Sequence, residues 1–246
     1  PRSRGLGDVY KRQGLLMWMS HSCWPSMVWQ TYDYYFEPTA GYFAIKKASE
    51  PLHIQWNPAT DEVEVVNYSA GTHKGLTAKV QILNMDASVA WEKEATVDSN
   101  EDTTNKCIKL AFPANLSKVH FIKMVLTENG KVVSDNFYHR SLEENNYQDL
   151  RQLAKVALQS TTTVDKNADG TWSAVSVIEN KTSTPALMIR LNVVGSKDGQ
   201  QLLPVFYSDN YFSLLPGEKK EVRMSWKDED TRGNEGKVLI TGYNVE

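Results

Sequence analysis

The apolar and polar positions change texture twice along the chain. Leu15-Leu16-Met17-Trp18-Met19 is an unbroken apolar run, the length and character of a strand buried on both faces. Polar Ser20-His21-Ser22 follows, then a run crowded with aromatics: Trp24, Trp29, Tyr32, Tyr34, Tyr35 and Phe36. Glu37 before Pro38 predicts a helix with proline at its first position. Tyr42, Phe43 and Ile45 with Lys46 and Lys47 give it an amphipathic face, and it must end before Pro51. Residues 14–50 therefore predict one buried strand, one aromatic loop and one helix. A parallel strand needs neighbours on both edges, and no further such unit follows. The expected reading is the last βα unit of a larger α/β domain.

From Pro51 onward the period drops to two. Leu52–Trp56, Glu62–Tyr68, Leu76–Met85, Val89–Val97, Lys106–Phe112, Val119–Thr127 and Lys131–His139 read as short alternating strands. Asn57-Pro58 and Asn129-Gly130 supply turns between them. About seven strands in about 90 residues without helical period predict an immunoglobulin-like sandwich. Ser141–Leu153 is a polar joint, with Leu150 and Leu153 as anchors onto a neighbouring surface. A second set follows: Lys155–Asp165, a turn at Asn167–Gly170, Thr171–Asn180, Ala186–Val194, Gln201–Tyr207, a Pro216-Gly217 turn, Lys220–Trp226 and Val238–Val245. The expected fold is mainly β, two immunoglobulin-like sandwiches at 51–141 and 142–246 preceded by the barrel-like unit at 14–50. The two sets have similar length and strand number without a clear residue repeat.

Pro1–Gln13, PRSRGLGDVYKRQ, is basic and fits neither pattern. It lacks the apolar centre of a secretion signal, and Asp8–Gln13 resembles a translated sequencing-library end. It is read as a non-native or disordered head, so the missing signal says nothing of location.

Composition narrows the classes further. With 41% hydrophobic and 23% charged residues the chain is ordinary for a globular protein. A net charge of −3 without a Lys/Arg stripe argues against nucleic acid as a partner. No apolar run reaches the roughly 18 residues of a membrane span. The two cysteines, Cys23 and Cys107, give neither a disulfide framework nor a metal spacing, and nothing calls for a cofactor.

Within residues 18–35, W-M-x-x-x-x-W-P-S-x-V-W-Q-x-Y-D-Y-Y resembles the eighth strand and loop of a glycoside hydrolase family 2 (β/α)8 barrel. Similar enzymes are the exo-β-glucosaminidases and plant-type endo-β-mannosidases. Pro38–Gln55, P-x-x-G-Y-F-A-x-K-K-A-x-E-P-L-H-x-Q, resembles the last barrel helix and its exit, and Leu202–Glu218 resembles the terminal Ig-like domain of the same enzymes. The resemblance covers Gly14 to Val245 and implies a retaining glycosidase of terminal β-linked sugars, periplasmic or secreted as a whole. Such a reaction needs two carboxylates about 5 Å apart; in the family both lie on earlier barrel strands, and neither position falls in this chain. Glu37 and Glu50 read as helix-end residues instead.

The resemblance implies a sugar-binding wall. Barrel active sites lie at the carboxyl ends of strands, where Trp18, His21 and Trp24 fall. An indole offers an apolar face to a pyranose and an N–H at its edge. Trp18 is expected as the floor of the reacting-sugar subsite, Trp24 as a second wall, and His21 as a donor to a hydroxyl; plain packing is the alternative for each. In β-mannosidases an Asn-Asp pair takes the place of His21-Ser22, which leaves the sugar open. A binding or adhesion role, and a purely structural spacer, are the competing readings. Three triplets, Asn67-Tyr68-Ser69, Asn115-Leu116-Ser117 and Asn180-Lys181-Thr182, match the glycosylation pattern.

Overall fold

The computed structural model describes residues 17, 19–26 and 30–246. Among the described residues its architecture is mainly β, two packed sandwiches with one α-helix against them. Helix α1 spans Ala40–Ala48, and the strands are β1 (Leu52–Asn57), β2 (Glu62–Asn67), β3 (His73–Asn84), β4 (Val89–Ser99), β5 (Thr103–Lys109), β6 (Val119–Glu128), β7 (Lys131–Ser141), β8 (Gln159–Lys166), β9 (Thr171–Glu179), β10 (Ala186–Gly195), β11 (Phe206–Tyr207), β12 (Phe212–Leu214), β13 (Lys219–Lys227) and β14 (Gly236–Thr241).

The first sandwich packs a sheet ordered β1-β2-β5 on one ordered β4-β3-β6-β7. Period-two patterning selects its core: Leu76, Ala78, Val80 and Ile82 alternate inward on β3 and are fully buried. They meet Ile122, Met124 and Leu126 of β6 and Ile54, Val63 and Val65 of the facing sheet. Asn129 and Gly130 both take positive φ, 51° and 75°, closing the β6–β7 hairpin as that dipeptide predicts.

The second sandwich packs β11-β13-β9-β8 on β12-β10-β14. Val222, Met224 and Trp226 alternate inward on β13 against Ile178 of β9 and Ile189, Leu191 and Val193 of β10. Its first strand differs from expectation. Lys155–Asp165 predicts a strand from Lys155, but β8 begins at Gln159 and is exposed along its whole length, while Val156 makes an isolated bridge with Val245. Gln201–Tyr207 is mostly irregular: Gln201 bridges Val194 and only Phe206–Tyr207 enters a ladder, because Pro204 has no N–H to give one. The Asn167–Gly170 segment is a hairpin turn, with the Asp169 carboxylate accepting from the N–H and hydroxyl of Thr171.

The sandwiches meet through a small apolar cluster of Leu83, Phe121, Leu187 and Leu215. Leu150 and Leu153 pack onto it from a 3-10 turn at Gln148–Gln152, as the anchors they were expected to be. Beside the cluster Lys123 pairs with Glu218, whose other oxygen accepts the Leu215 N–H at 2.9 Å.

Helix α1 begins later than Pro38 predicts. Pro38 is held extended by a bridge to Tyr32, and the Thr39 N–H donates to the Thr31 carbonyl at 2.9 Å, so winding starts only at Ala40. It ends before Pro51 as expected, with Lys46 and Lys47 in its last turn, where the dipole favours cations. Of the doubly buried strand expected at Leu15–Met19, only Met17 and Met19 are described. Met17 and Met19 are exposed, Met19 has φ 66°, and no described strand lies beside them; Leu15, Leu16 and Trp18 fall outside the described residues, as does the head at 1–13.

Candidate functional site

Residues 20–26 and 30–39 are tied together by backbone pairing. The Tyr32 N–H donates to the Ser20 carbonyl at 2.9 Å, the Thr31 hydroxyl to the same carbonyl at 3.1 Å, and His21 bridges Tyr32. Thr39 closes the fold, its hydroxyl lying 3.1 Å from the carbonyls of Gln30 and Thr31. Within it Asp33 builds a tight turn: its carboxylate accepts from the N–H groups of Tyr35 at 2.8 Å and Glu37 at 2.9 Å. Short acceptors of this kind stabilise turns locally. They hold Phe36 at φ 66°, an unfavourable backbone for an aromatic residue.

This turn presents its aromatic rings to solvent and to His21. The Phe36 ring stacks on the His21 imidazole at 4.0 Å between centroids and 12° between planes. The imidazole Nε2 lies 3.1 Å from the Tyr34 carbonyl, which accepts from it; in the neutral ring Nδ1 is then left as an acceptor. Trp24 is 67% exposed, Tyr35 61% and Phe36 62%. Of these rings, Phe36 lies against His21 and Tyr35 against Tyr34; an exposed aromatic face beside a hydrogen-bonding ring suits a flat ligand with hydroxyls at its rim. Of the residues singled out from the sequence, His21 and Trp24 lie on this exposed loop and Trp18 falls outside the described residues. Sequence reasoning missed Tyr34 and Phe36 as partners of His21; Asp33 within the aromatic run was the available signal of a turn.

Glu37 is not the solvated helix-end residue its position suggested. Its carboxylate is part-buried and pairs with Arg190 of β10. Two further attachments join the same region to the second sandwich. The Lys46 ammonium donates to the carbonyls of Tyr207 at 3.2 Å and Ser208 at 2.7 Å. Phe43, buried on α1, packs its ring against Tyr207 and Tyr211 at 6.5 and 5.9 Å. Burial pushes both phenols above their ordinary range, so they pack here as neutral rings.

The other side of α1 is tied to the first sandwich. Lys47 lies 2.9 Å from Glu50 and 2.7 Å from Asp135 of β7. Glu50 also accepts from the Ser134 hydroxyl at 2.8 Å and lies 3.3 Å from His53. Burial alone would raise the Asp135 carboxyl, but Lys47 and Lys220 outweigh it and hold it low. Between α1, β7, β10 and the Asp209–Ser213 segment lies a cleft of about 560 Å³. The charges on its wall, Lys47 with Asp135 and Lys220 with Asp209, are paired with one another. Among the described residues no cluster of three His, Cys, Asp or Glu side chains is placed to hold a metal, and no helix is long and apolar enough to cross a membrane. Cys107 is half-buried and burial pushes its thiol up to about 11.

Among the described residues, two immunoglobulin-like sandwiches brace one helix and one exposed aromatic loop. Residues 136–245 match the family described as the exo-β-D-glucosaminidase Ig-fold domain. The chain is 33% identical to the exo-β-D-glucosaminidase of Streptomyces avermitilis over 98% of its own length and 29% of that protein. It is 23% identical to the mannosylglycoprotein endo-β-mannosidase of Lilium longiflorum, over 95% of this chain and 31% of that one. The crystal structure of the Amycolatopsis orientalis exo-chitosanase CsxA superposes with a TM-score of 0.86 at 30% identity, covering 94% of this chain and 30% of that one. The chain thus spans about three tenths of the length of these relatives. It belongs to the exo-β-D-glucosaminidase and β-mannosidase branch of glycoside hydrolase family 2.

Proposed function

We propose that this chain is the sandwich-bearing part of a retaining glycosidase that removes terminal β-linked sugars, with a β-glucosaminide as the first-choice substrate. Residues 14–50 are read as the last strand, loop and helix of its barrel, 51–141 as the first sandwich and 142–246 as the second. Trp18, His21 and Trp24 line the sugar pocket in this reading, Trp18 under the reacting ring, Trp24 beside it and His21 toward a hydroxyl. The sandwiches are the frame. The observation that carries the proposal is the loop itself: aromatic rings around His21 face outward, while the segment's other contacts tie it to a sandwich through Glu37 and Arg190.

The two carboxylates of the reaction are expected from earlier barrel strands. The carboxylates at the joints of this chain are engaged otherwise: Glu37 with Arg190, Glu50 with Lys47, Asp135 with Lys47 and Asp209 with Lys220. A carboxylate held by a cation in this way is a poor general acid, because its charged form is favoured. A β-mannoside is the second-choice substrate, supported by the likeness to the lily enzyme. A free-standing binding module is less well supported, because the exposed aromatics of the sandwiches, Tyr68, Tyr147, Phe206 and Tyr243, lie on separate segments.

The purified chain should release no nitrophenol from an aryl β-glucosaminide or β-mannoside above the buffer rate. Steady turnover that follows the chain through purification would overturn the assignment of its carboxylates.

A further inference from the structure

We infer that Arg190, on the second sandwich, is a positioning residue for His21: its ion pair with Glu37 sets where the imidazole stands in the aromatic loop. The inference rests on the reading of that loop as the sugar-binding wall.

The path is short and each link is physical. Arg190 sits on β10, a strand paired on both sides, with β12 and with β14, where it lies opposite Thr241. Just before it the β10–β12 register shifts between Ala186 and Ile189, and Met188 takes φ 52°. A bulge of this kind re-aims the next side chains off the regular pleat. Arg190 then reaches Glu37, 153 residues away in sequence. Glu37 ends the Asp33 turn, since its N–H donates to the Asp33 carboxylate at 2.9 Å and its carbonyl accepts the Asp33 N–H at 3.0 Å. The same turn carries both partners of the His21 ring, the Phe36 face at 4.0 Å and the Tyr34 carbonyl at 3.1 Å.

Among the described residues nothing apolar offers the turn an equivalent grip. Tyr34, Tyr35 and Phe36 are all exposed, so no buried core fixes residues 34–36. Phe36 stands in the left-handed region, which persists only where neighbouring bonds over-determine it. Glu37 and Arg190 are both more than half-buried, unlike an exposed surface pair, so removing one leaves the other charge without its counter-ion in a partly dry site. Lys46 and Phe43 hold the helix to the same sandwich but lie beyond the turn and do not touch His21. Among the described residues, Arg190 is the residue of the second sandwich that ion-pairs with the turn carrying the ring, while Tyr207 and Tyr211 lie near the same Glu37.

The test uses the 246-residue chain and reads the ring carbon–proton correlations of its five histidines by NMR. In Arg190→Met the His21 resonances should move by more than those of His53, His73, His120 and His139, as the stacked Phe36 ring departs. Arg190→Lys, which keeps a cation, should return them most of the way. Should Arg190→Met lose the native spectrum, Glu37→Gln gives the same reading at the other end of the pair. An unmoved His21 in a folded variant, a shift shared by all five histidines, or failure of lysine to restore it overturns the inference. No sugar enters this experiment. If the chain fails to bind sugar, the reading of the loop falls while the positioning result stands, and the reverse failure is equally separable.

Discussion

Replacing Asn180 by alanine should destabilise the second sandwich by about 3–4 kcal/mol. Asn180 follows β9 directly and is fully buried. Its amide donates to the carbonyls of Thr184 at 2.8 Å and Leu214 at 3.0 Å, and its oxygen accepts from the N–H of Thr182 at 3.1 Å and that residue's hydroxyl at 2.7 Å. A net hydrogen bond contributes about 1 kcal/mol, and a buried group left unpaired costs about 1–3 kcal/mol, so losing four bonds gives the figure stated. Asn67 makes the same device in the first sandwich. It ends β2, is fully buried, donates to Gly71, Ser99 and Asn100 and accepts from the N–H and hydroxyl of Ser69. Each asparagine reaches four residues on and again just over thirty residues on, 32 for Asn67 to Ser99 and 34 for Asn180 to Leu214. Asn115, in the third such triplet, is exposed. Urea unfolding of the Ala variants at each site should therefore show large, similar losses at positions 67 and 180 and less than about 0.5 kcal/mol at 115. A loss below about 1 kcal/mol at position 180, with the urea dependence unchanged, would refute the reasoning.

Two further outcomes follow from the buried groups. His120 is fully buried and His139 is wedged edge-on against Phe121 and Phe137; burial pulls both below the ordinary imidazole range, with Arg140 adding to it at His120. The unfolded chain takes up those protons near pH 6.5 while the fold still refuses them. Stability should be flat from pH 8 to 7 and fall as pH drops below about 6.5; His139→Phe should shrink the fall, and an unchanged fall contradicts the assignment. In a glycosylating host, modification should occur at Asn115 alone, since Asn67 and Asn180 are sealed in the fold; mass spectrometry finding a glycan on either would contradict their burial.

Much of this was legible because period-two patterning and turn chemistry are local signals. The inward set of β3 and the Asn129-Gly130 hairpin follow from residues a few positions apart. Leu150 and Leu153 were legible for a similar reason, two large apolar side chains in a polar stretch. What the sequence hid depends on distant partners. Pro38 is an allowed helix start, yet its bridge to Tyr32 keeps it extended. The alternation of β8 is too weak to mark its start, because every residue in it is exposed. Glu37 looks like a helix-dipole residue until Arg190 is brought to it by the tertiary fold. The likeness of the two asparagine devices was hidden because they share only Asn-x-Ser/Thr, the same three letters that read as a glycosylation pattern.

The central claim is that the exposed aromatic loop is a sugar wall held by two sandwiches. Titrating the chain with a glucosamine disaccharide, while following the Trp24 indole N–H and the His21 ring by NMR, tests it directly. The account predicts saturable movement of both signals, lost in Trp24→Ala with the sandwich resonances unchanged. Saturable movement at Tyr68 or Phe206 with Trp24 and His21 still, or no saturable movement in a folded chain, would contradict it.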